Sequence, residues 1–270
     1  MRACLVIQRE AKDMRIALTR SISATFAQCQ LTYLEREPID LDRARSQHDA
    51  YEALLVSLGW AIDRLPPLDD QPDAVFVEDA GIALDELAVV GPMGAASRAG
   101  ESRSVEEALA RYLPVHRLTP PATLDGGDVL RVGRRLFVGL SSRTNDAAIE
   151  QLRRLLAPHD YEVIGVAVLG ALHLKSACTF VGDNTLLANH EWVDLRPFSG
   201  MHTLSVDASE AWGASVLLAG DEIVMLTGFP RTCRMLAVTG RRVHEIDLSE
   251  LRKAEGGPTC LSILLPSALT

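Results

Sequence analysis

The chain carries a cysteine near its end that could act as a nucleophile. Cys260 follows the glycine-rich run Glu255-Gly256-Gly257-Pro258-Thr259 and enters an apolar stretch, Leu261–Leu265. A thiol after such a flexible approach can be presented to a bound molecule, where its thiolate attacks an electron-poor carbon. Because free cysteine is among the most buried residue types, a cysteine in such a stretch is more often a small core hydrophobe than a nucleophile. Possible partners elsewhere in the chain must decide between these two interpretations.

Polar residues that could serve such a thiol occur in separate loops upstream. His173 could move protons, and Asp125, at the head of Asp125-Gly126-Gly127-Asp128, could orient or charge the imidazole. The two glycines would let the backbone approach closely. The alternatives are a core histidine that donates to a carbonyl and an ordinary turn. One thiol, one histidine and several carboxylates at equivalent places of the chain favour the catalytic interpretation.

Several acids and two arginines could bind a charged molecule near this thiol and histidine. Glu78 and Asp79 close the apolar run Val75-Phe76-Val77, and Asp73 lies just before it. Two acids at the end of such a run suggest a buried cation as their partner. Arg98 and Arg143 could receive a carboxylate through bidentate hydrogen bonds, or they could pair with these acids.

The elements that must position these loops form a repeat. A strand, a turn and a second strand recur along the chain in four places: Val75–Leu84 with Leu87–Val90, Asp128–Gly139, Cys178–Ala188 and Ser215–Leu226. Apolar spacing and capping residues predict helices over Asp40–Gly59, Ser104–Tyr112, Asp146–Leu156 and Arg231–Val238. Thr144 or Asn145 is the expected N-cap of the third of these helices.

A strand pair with a helix, repeated every forty to fifty residues or so, is typical of units stacked in a closed ring. The strand Arg15–Leu18 and the tail Leu261–Leu265 could form a fifth unit by closing the ring, which would leave no free sheet edges. The sequence therefore predicts an α/β fold, a five-bladed pseudo-symmetric propeller of ββαβ-type repeats. In such a ring the loops that carry Cys260, His173 and the acids would converge on the axis.

Composition excludes several classes of function. The 270 residues are 47% hydrophobic and carry a net charge of -9 without a cluster of cations, which argues against nucleic acid as a partner. No apolar run is long enough to span a bilayer, and the five cysteines contain no Cys-x-x-Cys pair, which favours reduced thiols in the cytoplasm. We expect a possible N-terminal extension over residues 1–13 and a single catalytic domain over residues 14–270.

Six motifs in order resemble the dimethylarginine dimethylaminohydrolase family of the amidinotransferase superfamily. They are Phe76-Val77-Glu78-Asp79, Ser97-Arg98 with Glu101, Leu124-Asp125-Gly126-Gly127-Asp128-Val129-Leu130, Phe137-Val138-Gly139 with Arg143-Thr144-Asn145, Leu172-His173-Leu174-Lys175-Ser176, and Thr259-Cys260-Leu261-Ser262. The resemblance extends from about Arg15 to Leu265. It implies a five-bladed α/β propeller without metal or other cofactor, which hydrolyses Nω-methylated arginines to citrulline and methylamine or dimethylamine.

The resemblance also implies a role for each site residue. Cys260 would be the nucleophile, His173 the general acid and base, and Asp125 the carboxylate beside the imidazole. The substrate would be held by Asp79 with Glu78 behind it at the guanidinium, Asp73 and the carbonyl of Ala254 at the α-ammonium, Arg98 and Arg143 at the α-carboxylate, and the carbonyl of Leu31 in a lid. Some family members carry Glu where this chain has Asp125.

Two other functions stay open at the level of sequence. The first is another guanidine-modifying activity on the same fold, such as that of an arginine deiminase. The second is a non-catalytic binder of cationic amino acids, although a binder has no need of a thiol. The remaining expectations are a small-molecule substrate, no membrane partner and possible homodimerisation.

Overall fold

The computed structural model describes residues 15–265. The strands are β1 (Arg15–Arg20), β2 (Trp60–Leu65), β3 (Ile82–Ala83), β4 (Ala88–Val90), β5 (Val115–Arg117), β6 (Val129–Val132), β7 (Arg135–Leu140), β8 (Glu162–Ala167), β9 (Cys178–Phe180), β10 (Thr185–Ala188), β11 (His202–Ser205), β12 (Leu217–Ala219), β13 (Glu222–Leu226), β14 (Val243–Ile246) and β15 (Ile263–Leu264). The α-helices are α1 (Leu41–Ser57), α2 (Glu101–Leu109), α3 (Asp146–Leu156), α4 (Leu174–Ala177), α5 (Pro230–Ala237) and α6 (Ser249–Arg252). The predicted extension, residues 1–13, lies outside the described residues.

These strands form five three-stranded sheets, the blades, which we number one to five: β3–β5, β6–β8, β9–β11, β12–β14, and β15 with β1 and β2. In the second blade, for example, β6 pairs antiparallel with β7, and β7 pairs parallel with β8. A parallel pair needs a crossover, and α3 supplies it here. Within residues 15–265, four of the five blades are ββαβ-type units with an α-helix in the crossover, as predicted. The parallel outer strands, of which β8 is one, were not recognised in the sequence because they follow their helices without a hairpin signal.

The fifth blade joins the two ends of the chain. β15 pairs antiparallel with β1, with Ala17 opposite Leu264, and β1 pairs parallel with β2. The C-terminal strand thus provides the inner position of a sheet whose other two strands come from the N-terminal end. The predicted closure of the ring is confirmed.

Helix boundaries follow local capping. Asn145 accepts a hydrogen bond from Ala148 N (3.1 Å), and α3 spans Asp146–Leu156 as predicted. Asp40 caps α1 in the same way, through Asp42 N and Arg43 N. The third blade differs, since a 3₁₀ turn at Arg196–Phe198 lies in its crossover. Phe198 stacks there on Phe137 with ring centroids 4.3 Å apart, so an aromatic pair fills space in this crossover.

Two predicted strands are shorter than expected, and both differences matter for the site. Val77–Ala80 forms a 3₁₀ turn and the strand begins only at Ile82, because Glu78 and Asp79 turn away to separate partners. The closing strand begins at Ile263, so Cys260 lies in the turn before it. None of the helices in residues 15–265 has the length and apolarity that crossing a membrane requires.

Candidate active site

One end of the ring axis holds a small polar cavity. Cys260 reaches it from the turn before β15, and Gly257 N lies 3.4 Å from the Sγ atom as a donor. The cavity is lined by Gln30, Asp73, Phe76, Asp79, Arg98, Arg143, Leu172, His173, Ser176, Ala254, Glu255, Gly256 and Cys260. Residues from all parts of the chain therefore meet where the ring topology predicts.

The turn that carries Cys260 is held firmly in place. Tyr51 of α1 is buried, and its hydroxyl lies 2.9 Å from the Pro258 carbonyl and 2.7 Å from Ser262 Oγ. The carbonyl of Cys260 accepts the Glu78 N–H (3.3 Å). The glycine-rich approach is thus packed and hydrogen-bonded, in contrast to the flexible segment that its composition suggests.

His173 lies between two carboxylates. Its Nε2 is 3.1 Å from Asp125 Oδ2, and its Nδ1 is 3.6 Å from Asp79 Oδ1. The second oxygen of Asp125 accepts the Gly94 N–H (2.9 Å), which fixes the carboxylate. Just after His173, Leu174 N donates to Asp128 Oδ1 (2.9 Å), so the start of α4 is also anchored.

The two glycines between Asp125 and Asp128 are required by close approach. A Cβ at Gly127 would lie 2.5 Å from Asp79 Oδ1 and 2.8 Å from His173 Cγ. A Cβ at Gly126 would lie 2.1 Å from the Glu78 carbonyl. Contacts that short are impossible, so a larger residue at either position would displace the acids or the imidazole.

This environment sets the protonation states of the empty site. Burial opposes charge on His173, but Asp79, Asp125 and Asp128 outweigh it and raise the pKa of the imidazole to about 9. Burial, with Glu78 and Asp79 adding to it, raises the pKa of the Cys260 thiol to about 12. At neutral pH the empty site therefore pairs a thiol with an imidazolium.

Asp79 and Arg98 form a buried ion pair. Arg98 Nη1 donates to Asp79 Oδ2 (2.7 Å), and its Nε and Nη2 donate to Glu101 (2.9 and 2.7 Å). Nη2 also lies 3.3 Å from the carbonyls of Asp73 and Phe76. Arg98 therefore pairs with acids of the protein, which is one of the two roles that the sequence allowed for it. Among residues 15–265, Asp79 Oδ1 has no hydrogen-bond partner although it is buried.

A second wall of the cavity carries a carboxylate and a guanidinium, which could bind the ammonium and carboxylate of an amino acid. Asp73 accepts Gln30 N at 3.1 and 3.2 Å, and Arg143 Nη2 donates to Gln30 Oε1 (3.3 Å). Arg143 Nη1 is buried and has no hydrogen-bond partner in the described part of the chain. Ala254 lines this wall, whereas Leu31 packs half-buried against core residues and does not. Gln30 was missed in the sequence because its neighbourhood shows no periodic pattern.

Glu78 serves a different cavity from Asp79. Its Oε1 accepts a hydrogen bond from Lys175 Nζ (2.6 Å), and both side chains line a larger cavity of about 480 Å³ inside the ring. The two cavities share no lining residue, although Glu78 and Asp79, Lys175 and Ser176, and Thr259 and Cys260 are chain neighbours on opposite sides. The pair of buried Glu78 and partly buried Lys175 thus belongs to the layer between the two cavities.

Asp79, Asp125 and His173 also have the spacing of metal ligands, with one ligand atom of each within 4.8 Å of the others. A metal needs the imidazole neutral, whereas the pKa of His173 is raised to about 9. Asp79 is in addition committed to Arg98. These residues fit an organic cation that leaves the imidazole protonated better than they fit a metal ion, and the absence of a metal stays a prediction.

A closed α/β ring with a thiol, an imidazole and buried carboxylates at one end of its axis defines a class, the guanidine-modifying propellers. The profile of the family described as "N,N dimethylarginine dimethylhydrolase, eukaryotic" matches residues 18–195. The chain is 39% identical to the N(G),N(G)-dimethylarginine dimethylaminohydrolase of Streptomyces coelicolor over 251 residues, which are 92% of this chain and 96% of that protein. It is 34% identical to the enzyme of the same name from Pseudomonas aeruginosa, over 83% of this chain and 89% of the relative.

Solved structures agree with these sequence relatives. A cysteine-to-serine mutant of the Pseudomonas aeruginosa enzyme, complexed with citrulline, superposes with a TM-score of 0.89 at 32% identity, covering 93% of this chain and all of that one. The N-terminal domain of a cyanobacterial arginine dihydrolase shares the fold, with a TM-score of 0.85 at 20% identity over 96% of this chain and all of that domain. This chain belongs to the dimethylarginine dimethylaminohydrolase family. The family resemblance and the α/β propeller predicted from the sequence are confirmed.

Proposed function

We propose that this protein hydrolyses Nω-methylated arginines, asymmetric dimethylarginine and monomethylarginine, to L-citrulline and dimethylamine or methylamine. The observation that carries the proposal is the cavity itself, in which Cys260 and His173 lie with Asp79, whose buried Oδ1 has no hydrogen-bond partner within residues 15–265. A permanently charged guanidinium would satisfy that carboxylate. The citrulline held by the Pseudomonas aeruginosa relative supports the same product.

The amino-acid end of the substrate fits the other wall. Asp73 and the Ala254 carbonyl would hold the α-ammonium, and Arg143, with its buried free Nη1, would take the α-carboxylate. Arg98 would act mainly by holding Asp79 in place, and Glu78 would contribute negative charge from behind. The carbonyl of Leu31 would contact the substrate once the loop adjusts around it.

In the reaction, the thiolate of Cys260 attacks the guanidinium carbon to form a tetrahedral adduct. The C–N bond to the methylated nitrogen then breaks as His173 donates a proton to the departing amine, leaving a covalent thiouronium. A water molecule attacks the same carbon while His173 accepts its proton, and the C–S bond breaks to release citrulline and the thiolate. One water is consumed, and Asp125 keeps the imidazole oriented through its contact with Nε2.

Binding of the substrate cation supplies the charge that ionises the thiol. Burial raises the pKa of the Cys260 thiol, and Glu78 and Asp79 raise it further, so a cation placed among these acids would lower it. We expect ultraviolet difference titration to show a lower thiolate pKa with a cationic ligand bound than without one. An identical pKa in both states would refute substrate-assisted ionisation. Cys260→Ala, in which the titrating signal should vanish, is the control.

The assay that tests the function compares three substrates. Purified protein is incubated with arginine, Nω-methylarginine and asymmetric dimethylarginine, and citrulline and released amine are measured by mass spectrometry. We expect both methylated substrates to yield citrulline, and Cys260→Ala to yield none. Citrulline from arginine alone would favour a deiminase, and binding without turnover would favour an amino-acid binder.

Homodimerisation and a cytoplasmic location also stay proposals. A thiol nucleophile has to remain reduced, and Cys29, Cys178, Cys233 and Cys260 are all free thiols, which fits a reducing compartment. Light scattering coupled to gel filtration would measure the oligomeric state.

A further inference from the structure

One carboxylate gathers three consecutive backbone donors beside the cavity. Glu255 Oε1 accepts hydrogen bonds from Thr32 N (2.9 Å), Tyr33 N (2.5 Å) and Leu34 N (2.7 Å). We call residues 30–34 the lid segment. Successive N–H groups that converge on one anion form a concave binding site of the kind that holds phosphates and carboxylates. Here the anion is a side chain more than two hundred residues away in the sequence.

Glu255 stands at a position that usually belongs to glycine. It follows α6 with φ +60°, in the left-handed region, and the next residue closes the turn through a Gly256 N–H to Leu251 carbonyl bond of 3.1 Å. A side chain there costs on the order of 1 kcal/mol relative to glycine. Since the left-handed backbone conformation favours glycine, the presence of Glu255 indicates a role for its carboxylate.

The position of Glu255 indicates that role. It lines the cavity between Ala254 and Gly256, five residues before Cys260. At the other end of the lid segment, Gln30 contacts Asp73 and Arg143, the groups suited to the amino-acid end of a substrate. In the middle, Tyr33 OH donates to the Ala171 carbonyl (3.2 Å), two residues before His173. The lid segment therefore contacts the side of the cavity formed by Asp73 and Arg143, the loop before His173 and the turn before Cys260, and Glu255 accepts three of its hydrogen bonds.

We propose that Glu255 is a positioning residue that fastens the lid segment over the cavity and links its closure to the turn that carries Cys260. The inference rests on the proposed function for its effect on catalysis, but the clamp itself is a property of the structure. When the three amides leave Glu255, the segment from Thr32 to Leu34 opens, and substrate enters. When they return, the lid encloses the substrate next to the thiol.

Glu255→Gly separates this role from a purely structural one. Glycine relieves the left-handed backbone, and this gain offsets part of the loss of the three hydrogen bonds, so we expect the variant to stay folded. Amide hydrogen exchange of the peptide covering the lid segment should accelerate about tenfold or more, because charge-assisted hydrogen bonds are the strong ones. The KM for methylarginine should rise about tenfold, with a smaller change in kcat.

Two further variants complete the test. Glu255→Gln keeps an acceptor without the charge and should recover part of the lid protection and part of the KM. Glu37→Gln, at an exposed glutamate of the same loop, should match the wild type in both measurements. If the lid peptide of Glu255→Gly exchanges at the same rate as that of the wild type, the clamp is wrong. If the glycine variant does not fold, the same comparison is made with Glu255→Gln, and an unchanged rate there overturns the clamp as well. Faster exchange in a protein that does not turn over methylarginine would leave the clamp intact and count against the proposed function.

Discussion

The two walls of the cavity are built in opposite ways. Asp79, Asp125, His173 and Arg98 are at most 4% exposed and hold one another through charges and hydrogen bonds. The second wall contains the buried Asp73 and Arg143, but it is completed by Gln30, which is exposed, and by the half-buried Glu255, which accepts hydrogen bonds from backbone N–H groups of a loop. A fixed wall costs no reorganisation when charge develops in a transition state. A movable wall can admit and enclose a substrate, so the first should govern kcat and the second KM.

Asp79→Asn should give the largest effect, because it removes a charge from the fixed wall. Arg98 and His173 would each lose a buried anionic partner, and breaking such pairs costs about 3–5 kcal/mol. We expect kcat/KM for methylarginine to fall roughly a thousandfold. The pKa of the Cys260 thiol should fall below about 12 at the same time, since Asp79 contributes to raising it.

Steady-state citrulline formation and thiol titration measure both effects in one preparation. The matched control is Asp70→Asn, at an exposed carboxylate, which should leave both values unchanged. A variant whose kcat/KM stays within threefold of the wild type would show that the fixed wall does not need Asp79.

The pH dependence of stability tests the fixed wall without any substrate. The pKa of His173 is about 9 in the folded protein and 6.5 as its ordinary value, so the folded state holds a proton that the unfolded state loses first. The contribution of this proton to the free energy of unfolding is fully present below pH 6.5 and is lost as the pH rises through about 9. At about 1.36 kcal/mol per pKa unit, it amounts to about 3 kcal/mol.

Urea unfolding measured between pH 6.5 and pH 9 should therefore show a falling free energy of unfolding. His173→Asn should flatten that slope, whatever its stability at any single pH. A slope of equal steepness in the wild type and in the variant would assign the pH dependence to other groups.

Gln30→Ala should give the smallest effect, because it alters the movable wall. The variant loses the contacts of the side chain with Ser97 Oγ (2.5 Å) and Arg143, but it keeps the backbone N–H on Asp73. Because the two lost hydrogen bonds are exposed or only partly buried, we expect KM to rise about fivefold and kcat to stay within twofold. Steady-state kinetics of Gln28→Ala, at an exposed neighbour in the same loop, provide the comparison. A loss in kcat alone would break the distinction between the two walls.

Much of the fixed wall could be predicted from the sequence. Asp79, Asp125 and His173 stand in short motifs next to strong hairpin signals, and the repeat implies that such loops converge. Closure by β15 and β1 was also predictable, because an unpaired strand at each end of a repeat can complete a ring. The roles of these residues stay predictions until the variants are measured.

The movable wall was much harder to predict. Gln30 and Glu255 are 225 positions apart, and neither lies in a periodic segment. Their contacts depend on a side chain that reaches backbone N–H groups, and any loop can provide such groups. The commitment of Arg98 to Asp79 and Glu101 was equally hidden, since a sequence does not tell which of several acids an arginine meets.

The pair of Glu78 and Lys175 lies in the layer that separates the candidate active site from the larger cavity inside the ring, so the two cavities do not open into each other. With the proposed clamp, substrate and products would all pass the lid segment. The methylated amine, and then citrulline, would leave past the lid segment that admitted the substrate. Each turnover would therefore require the lid segment to reopen before the next molecule enters, and this reopening has to be faster than the bond-making steps for the fixed wall to govern kcat.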